Sequence, residues 1–269
     1  MEKLIYLVFW DDNAADTYLY GSRLTIHEDR LVEFENSRMP SGTVIRQWHS
    51  QPDYQGRRLM MQLPVLEEGK RCWVRMFAGC RPEGGVLLRF QFYDRQRHLI
   101  SFCTLDEQEG AVFCPEGTYS YVLQLVQTGS ASVWFHHIEM YPMEEGEKGR
   151  PDWFGQLWNP DICGKCLNIL LPDLSGGMFR FPDRQKIWGI SNFTVAPTEY
   201  VMTGASFSDE WLRKKEWERF SEKRLLACGK GGRDAALNLQ YSQNAEVLFL
   251  NGAGDLYELE LRDEQNATE

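Results

Sequence analysis

The chain has 269 residues, of which 43% are hydrophobic and 13% aromatic, so it can bury a sizeable core and we expect a globular protein. Its formal charge of -10 disfavours a nucleic-acid-binding protein, because such proteins need clustered lysine and arginine side chains. No apolar run reaches the roughly 18 to 20 residues that span a bilayer, and the first residues lack the basic region and cleavage site of a signal peptide. We therefore expect a cytoplasmic protein without a membrane span.

From residue 1 to about 141, short segments of alternating polar and apolar residues follow one another, separated by turn residues. The segment "VLLRFQFYD" places Leu88, Phe90 and Phe92 on one face of a strand and Arg89 and Gln91 on the other. "SYVLQLVQ" (residues 120 to 127) alternates in the same way. About ten strands at this spacing predict a mainly β domain, a jelly roll or β-sandwich.

The last strand candidate of this region is "SVWFHHIEM". Simple alternation puts Val133 and Phe135 on the face opposite to Trp134, His136 and Ile138. Neighbouring residues of a strand point to opposite faces, so His136 and His137 are not expected to chelate a metal together.

A segment rich in proline, glycine and charge follows, and we interpret residues 142 to 159 as a linker. Residues 160 to 269 then alternate between strand and helix patterns, which predicts a small α/β segment with parallel strands. The predicted strands are 166–171, 224–228 and 246–252, and the predicted helices are 208–223 and 232–240.

The corner at residues 227 to 232 joins a predicted strand to a predicted helix, as do the sites where many enzymes hold a phosphate or a nucleophile. It fails as a P-loop, because Arg224 stands at the first glycine position and Gly231 follows Lys230. In the nucleophile-elbow alignment, Gly229 occupies the serine position and Cys228 comes one residue too early.

The general base of a Ser-His-Asp arrangement is also missing from this segment, since all five histidines of the chain lie in the first 137 residues. We therefore expect a hydrolase-like but degenerate scaffold and no enzyme activity. An ordinary strand-to-helix turn would give the same pattern.

The seven cysteines do not form the paired framework of a secreted domain, and free thiols are expected. Cys163 and Cys166 have the spacing of a redox or metal motif, but no second pair of ligands lies nearby in the sequence. No metal and no cofactor are therefore expected.

Aromatic residues in short polar segments of the β region suggest a carbohydrate site. A flat ring beside hydrogen-bonding side chains suits a sugar, whose C–H groups stack while its hydroxyls form hydrogen bonds. We predict Trp48 and Tyr54 as stacking platforms, with Asp53 and Arg57 as their hydrogen-bonding neighbours. The alternative is that these rings pack the edge of the sandwich or dock onto another subunit.

Four segments of the β region resemble the third Asp family of the accessory Sec system. They are "TYLYGS" (17 to 22), "PSGTVIRQWHS" (40 to 50), "YQGRRLMMQLPVLEEGK" (54 to 70) and "LLRFQFYD" (87 to 94). The resemblance implies a non-catalytic component that assembles with its sister Asp proteins, on the cytoplasmic side and peripheral to the membrane. It also implies a β domain similar to carbohydrate-binding modules, a dedicated SecA-type motor as a further partner, and a glycosylated serine-rich-repeat adhesin as the exported substrate.

Three functional hypotheses remain open at this point. The first is an accessory subunit of adhesin export that binds its sister subunits and the glycan of the cargo. The second is a carbohydrate esterase or acyltransferase that uses the corner at residues 227 to 232 with a histidine from the β domain. The third is a stand-alone glycan-binding protein.

Overall fold

The structure is a computed structural model, and it describes twelve stretches of the chain. These are residues 4–10, 16–27, 30–51, 61–143, 157–171, 178–180, 190–196, 217–228, 232–233, 235–236, 246–250 and 259–260. The chain divides into two compact units, residues 5 to 150 and residues 151 to 269 together with residues 1 to 4. Residues 144–156 lie outside the described residues, so the boundaries at 141, 142 to 159 and 160 stay a prediction.

The described residues of the first unit form ten strands in two antiparallel sheets. The strands are β1 (Leu4–Val8), β2 (Arg23–Ile26), β3 (Val32–Glu35), β4 (Val44–His49), β5 (Arg71–Arg81), β6 (Val86–Tyr93), β7 (Leu99–Leu105), β8 (Glu109–Phe113), β9 (Ser120–Gln127) and β10 (Ser132–Pro142). In the large sheet, β10 pairs with β5 on one side and with β3 and β1 on the other, while β2 flanks β3 and β8 flanks β5. The small sheet has the order β4-β9-β6-β7. The unit is a β-sandwich, as the alternation predicts.

The core lies between the two sheets and follows the predicted faces of β6 and β9. Leu88, Phe90 and Phe92 on β6 are buried, as are Leu123 and Leu125 on β9. Alternation requires this outcome, because side chains two residues apart on a strand share a face. Each large apolar side chain that is fully buried contributes about 1.5 to 3 kcal/mol relative to an exposed one.

A β-bulge in β10 makes the predicted faces of this strand wrong after Phe135. The register with β5 shifts between Phe135 and His137, so His136 is the additional residue of the bulge. Ile138 therefore packs in the core, where it is fully buried, and not on the face of Trp134. The bulge also brings the Nδ1 atoms of His136 and His137 to 2.9 Å from each other. The expectation that these two rings face opposite sides is wrong for the same reason.

The second unit contains the parallel strands that its sequence predicts. The strands of its sheet are β11 (Cys166–Leu171), β13 (Phe193–Val195), β14 (Glu222–Cys228), β15 (Glu246–Leu250) and β16 (Leu259–Glu260), whereas β12 (Met178–Arg180), which lies between β11 and β13 in the chain, is not part of this sheet. Strands β13, β11, β14 and β15 are parallel neighbours in that order, and β16 adds an antiparallel edge. Leu167, Ile169 and Leu225 are buried in the core of this unit.

The two predicted helices of this unit are only partly tested. The end of the first is wrong, because Glu222 and Lys223 already belong to β14, and residues 208–216 lie outside the described residues. Helical backbone occurs at residues 232–233 and 235–236, at the start of the second predicted helix, and residues 237–240 lie outside the described residues. In the described part of the chain, no helix is long and apolar enough to cross a membrane.

Burial of Cys72 predicts a loss of stability at alkaline pH. Desolvation raises the pKa of this thiol from 9.0 to about 12. The unfolded thiol therefore ionises near pH 9 while the folded one stays protonated, so its contribution is complete below about pH 9 and is lost as the pH rises towards 12. We expect the unfolding free energy to fall over this window with an additional slope of about 1.4 kcal/mol per pH unit.

The measurement is urea unfolding of the wild type and of Cys72→Val between pH 8 and pH 11. Valine has a similar volume and no titrating group, so the variant should lose this additional slope. Equal slopes in the two proteins would contradict the prediction.

Candidate functional site

The outward face of the small sheet carries a row of polar side chains, and we call these the polar ladder: Arg89 on β6, Gln124 on β9, Gln47 on β4, and Asp16. The register pairs Arg89 with Gln124 and Gln124 with Gln47. Residues that are directly opposite in neighbouring strands have side chains on the same face, and this face is the one opposite to the core residues Leu88 and Leu123. The ladder therefore runs across the strands on the face of the small sheet that points away from the core, and its members Gln124 and Asp16 are themselves buried.

Hydrogen bonds connect the members of the polar ladder from end to end. Arg89 Nε donates to Gln124 Oε1 at 2.8 Å, and Gln124 Nε2 donates to Gln47 Oε1 at 3.2 Å. Gln47 Nε2 in turn donates to Asp16 Oδ1 at 3.2 Å, and His49 Nε2 lies 3.4 Å from the same oxygen. Each planar group fixes the orientation of the next, so the face is preorganised and not a set of independent surface side chains.

The ladder retains hydrogen-bonding capacity that a ligand could use. Among the residues that the structure describes, Arg89 uses only its Nε, and its two terminal nitrogens are left with four N–H donors. Gln91, also on β6, accepts a hydrogen bond from the Tyr93 hydroxyl at 3.0 Å through its Oε1. Phe102 on β7 stands opposite Gln91 and is 62% exposed. An apolar ring thus lies beside fixed donors, which suits a ligand with C–H faces and hydroxyl groups.

Trp48 is not part of this face, and its assignment as a stacking platform is wrong. It lies in the sandwich core with 0% exposure, and its Nε1 donates to the Phe9 carbonyl at 2.8 Å. Its ring is 5.4 Å from that of Phe135 and 6.4 Å from that of Trp10. The segment around Trp48 is strand β4, whose alternation points this ring inwards, so the packing alternative describes it.

The other three predicted carbohydrate-binding residues lie outside the described residues. Asp53, Tyr54 and Arg57 belong to residues 52–60, which follow β4 in the sequence. Their role stays a prediction.

Sequence reasoning did not identify the polar ladder as a unit. The alternation already places Arg89 and Gln124 on the outward faces of their strands. What it lacks is the order of the strands, since Gln47 and Gln124 are 77 residues apart in the chain. The sequence signal of such a row is a set of outward-facing polar residues at the same level of adjacent strands. It can be recognised only when the register between the strands is known.

The turn that contains Cys163 and Cys166 is held together by a buried asparagine. The backbone N–H of Asp161 donates to Asn192 Oδ1 at 2.9 Å, and Asn192 Nδ2 donates to the Gly164 carbonyl at 3.4 Å. Both cysteines are free thiols, and the described residues contain no group of three or more metal-ligating side chains. This geometry supports a structural turn at the head of β11.

The corner at residues 227 to 232 is described only at its two ends. Strand β14 ends at Cys228, and helical backbone is present at Gly232. Residues 229–231 lie outside the described residues, so the empty nucleophile position stays a prediction from the sequence.

The comparison with protein-family models matches the first unit. The family model described as Accessory Sec secretory system ASP3 matches residues 17–142. A Streptococcus gordonii accessory Sec system protein, the third of the Asp proteins, is 33% identical over 133 residues, which cover 49% of this chain and 84% of that protein. The chain belongs to the ASP3 family of the accessory Sec system. The resemblance found in the sequence is thereby confirmed.

Two more distant similarities accompany this match. The accessory Sec system protein of the same name from Staphylococcus aureus (strain NCTC 8325 / PS 47) is 23% identical over 143 residues, which are 53% of this chain and 44% of that protein. A chain of the Glycosylation Associate Protein (Gap123) complex from Streptococcus agalactiae is similar in fold, with a TM-score of 0.61 and 19% identity, and the match covers 91% of this chain and 77% of that one. The family match of residues 17–142 includes every member of the polar ladder except Asp16.

Proposed function

We propose that this ASP3-family chain is a non-catalytic accessory subunit in the export of glycosylated adhesins, and that it acts by binding its sister subunits. The observation that carries the proposal is the family match across residues 17–142, which span the sandwich from β2 to β10. The similar fold of a chain from the Gap123 complex supports assembly with other subunits. The proposed place of action is the cytoplasm, peripheral to the inner face of the membrane and close to a SecA-type motor.

Binding rather than catalysis is proposed because the sequence of the second unit lacks the nucleophile and the histidine base of a Ser-His-Asp mechanism. In the elbow alignment, Gly229 stands where a nucleophile would be required. The five histidines of the chain all lie in the first 137 residues. A glycine has no side chain to attack a carbonyl, so an acyl transfer of the Ser-His-Asp type has no nucleophile at this position.

We further propose that the glycan of the cargo binds to the face that carries the polar ladder. The free N–H donors of Arg89 would meet sugar hydroxyls, and the exposed ring of Phe102 would stack on a C–H face. Tyr54, Asp53 and Arg57 are proposed to extend this face, because their segment follows β4, which carries Gln47 and His49.

The assembly is tested by purifying a tagged chain from its native host. We expect the two sister Asp proteins to copurify in a fixed ratio, and a chain that is purified alone would contradict the proposal. The glycan is tested separately by titrating the chain with a glycosylated and an unglycosylated fragment of the cargo. Preference for the glycosylated fragment is expected.

The Arg89→Ala variant tests whether the glycan binds at the face that carries the polar ladder. It should weaken binding of the glycosylated fragment by about tenfold, which corresponds to about 1.4 kcal/mol, because it removes a charged donor from the ligand. It should leave copurification of the sister proteins unchanged. The matched control is Arg71→Ala, since Arg71 is an exposed arginine of the other sheet. Equal effects of the two variants would contradict the proposed face and leave the assembly with sister proteins untouched.

A further inference from the structure

An exposed tyrosine projects from the turn of residues 19–22, which we call the tyrosine turn. Tyr20 is the most exposed of the large hydrophobic side chains described in the first unit, at 84%, and its neighbour Leu19 is 47% exposed. The turn belongs to "TYLYGS", a segment within the family match to which the polar ladder gives no role. A single exposed ring is common on protein surfaces, so its meaning depends on how the turn is held.

Hydrogen bonds fix the backbone of the tyrosine turn. The Ser22 N–H donates to the Leu19 carbonyl at 3.1 Å, and Gly21 has a φ of +68°, which the third position of a type II turn requires. The Ser22 hydroxyl also donates to the Tyr18 carbonyl at 2.9 Å. Only the side-chain torsions of Tyr20 therefore remain free.

A buried asparagine joins the tyrosine turn to the turn that follows β3. Asn36 is 6% exposed, and its Nδ2 donates to the Tyr20 carbonyl at 3.0 Å and to the Ser22 hydroxyl at 2.8 Å. Its Oδ1 accepts from the Arg38 N–H at 3.0 Å, so one amide group holds both turns side by side. The Asn36 N–H donates to the Ala131 carbonyl at 2.9 Å, which places both turns at the end of the sandwich where β9 connects to β10.

Two exposed arginines flank the tyrosine turn. Arg23 follows it directly at the start of β2, and Arg38 lies in the neighbouring turn. Neither guanidinium forms an ion pair with a described residue, and the exposed carboxylate of Glu35 stands opposite Arg23 in the register of β2 and β3. The surface around Tyr20 thus carries more positive than negative charge, in a chain whose formal charge is -10.

We propose that the tyrosine turn docks into an apolar pocket with an acidic rim on one of the sister Asp subunits. This inference rests on the proposed function and names the surface that performs it. Tyrosine and arginine are the residue types that dominate binding energy at protein interfaces. A turn that is already rigid loses little conformational freedom on binding, so more of its contact energy appears as affinity. Arg23 and Arg38 complement an acidic rim and oppose a basic one.

Charge favours a protein over a lipid surface as the occupant. Basic membrane-binding clusters contain about four to eight lysine and arginine residues, whereas the tyrosine turn is flanked by Arg23 and Arg38. The formal charge of -10 also opposes the approach of the chain to an anionic bilayer. Binding of the tyrosine turn to anionic vesicles is therefore the competing outcome of the test.

The first test is a titration of the two sister Asp proteins, purified together, with the full-length chain. Tyr20→Ala should raise the dissociation constant at least about tenfold, because it removes the ring from its pocket. It should leave binding of the glycosylated cargo fragment unchanged. Tyr119→Ala is the matched control and should leave the dissociation constant unchanged. Tyr119 is 55% exposed and lies beside Arg95, whose guanidinium is 5.8 Å from its ring, but it precedes β9 and is therefore at the opposite end of that strand.

The second test changes the charge beside the tyrosine turn and keeps the ring. Arg38→Glu should slow association with the sister proteins by a few-fold, and the effect should be larger at about 50 mM than at about 500 mM salt, because salt screens charges at an exposed rim. Arg95→Glu is the matched control, since it changes the net charge by the same amount at the other end of the sandwich. It should leave the association rate unchanged.

The outcomes separate this inference from the proposed function. A Tyr20→Ala chain that binds the sister proteins as tightly as the wild type, or no more weakly than Tyr119→Ala, would overturn the docking surface and leave the assembly intact. The same holds if Tyr20→Ala abolishes binding to vesicles of phosphatidylcholine and phosphatidylserine while sister binding is unchanged. A wild-type chain that does not bind the sister proteins at all would contradict the proposed function and this inference with it.

Discussion

Replacing Trp48 by alanine is expected to lower the free energy of unfolding by about 3 to 5 kcal/mol. The indole is fully buried, contacts the rings of Trp10 and Phe135, and donates to the Phe9 carbonyl, so the change leaves a large cavity and an unpaired acceptor. Total stabilities of domains are about 5 to 15 kcal/mol, so a substantial part of the protein should be unfolded at modest urea concentrations. The measurement is urea denaturation followed by circular dichroism.

The control for this variant is Tyr20→Ala. Tyr20 lies in "TYLYGS", another of the segments that resemble the third Asp family, but its side chain is 84% exposed. Its removal should therefore change the unfolding free energy by less than about 0.5 kcal/mol. A Trp48→Ala protein that keeps wild-type stability and loses only carbohydrate binding would restore the interpretation of Trp48 as a stacking platform.

Gly85→Ala is expected to destabilise the sandwich by about 2 to 3 kcal/mol. A Cβ atom at this position would lie 2.7 Å from the backbone nitrogen and the Cβ of Ser130. The neighbour is backbone, so relief requires a shift of the loop whose Thr128 and Ser130 N–H groups donate to the Gly85 carbonyl. The clash therefore strains the connection between β9 and β10.

Gly79→Ala provides the matched control, because Gly79 also lies in the sandwich and a Cβ there would meet only Trp134 Cε3, at an ordinary 3.8 Å. This variant should be neutral or stabilise slightly, since alanine restricts the unfolded chain more than glycine does. The measurement is thermal unfolding of both variants. Equal unfolding midpoints would show that the Ser130 loop moves without loss of stability.

Within a strand, the sequence predicted the structure well. The inward set Leu88, Phe90 and Phe92 follows from alternation over a few residues, and the parallel strands β11, β14 and β15 follow from the succession of strand and helix patterns along residues 160 to 269. The prediction failed where one additional residue changed the alternation, at His136, because a bulge reverses the face of everything after it. In the sequence, this reversal is indicated by Ile138 and Met140, two apolar residues at positions that simple alternation assigns to the outer face.

The assignment of Trp48 failed for a different reason. Its segment "RQWHS" is polar enough to suggest a loop, yet Gln47 faces outwards and Trp48 inwards on strand β4. A half-buried strand is polar on one side, so polarity alone does not separate a strand from a binding loop.

The amino-acid sequence by itself determined that the first half of this protein is a β-sandwich, that it belongs with the third Asp family of the accessory Sec system, and that the second half has parallel strands. These properties depend on local periodicity and short motifs, which adjacent residues specify. Only the tertiary structure decided that Trp48 lies in the core and that Arg89, Gln124 and Gln47 form one row. Their hydrogen bonds join residues 35 and 77 positions apart, and which strands become neighbours is set by packing of the whole sandwich.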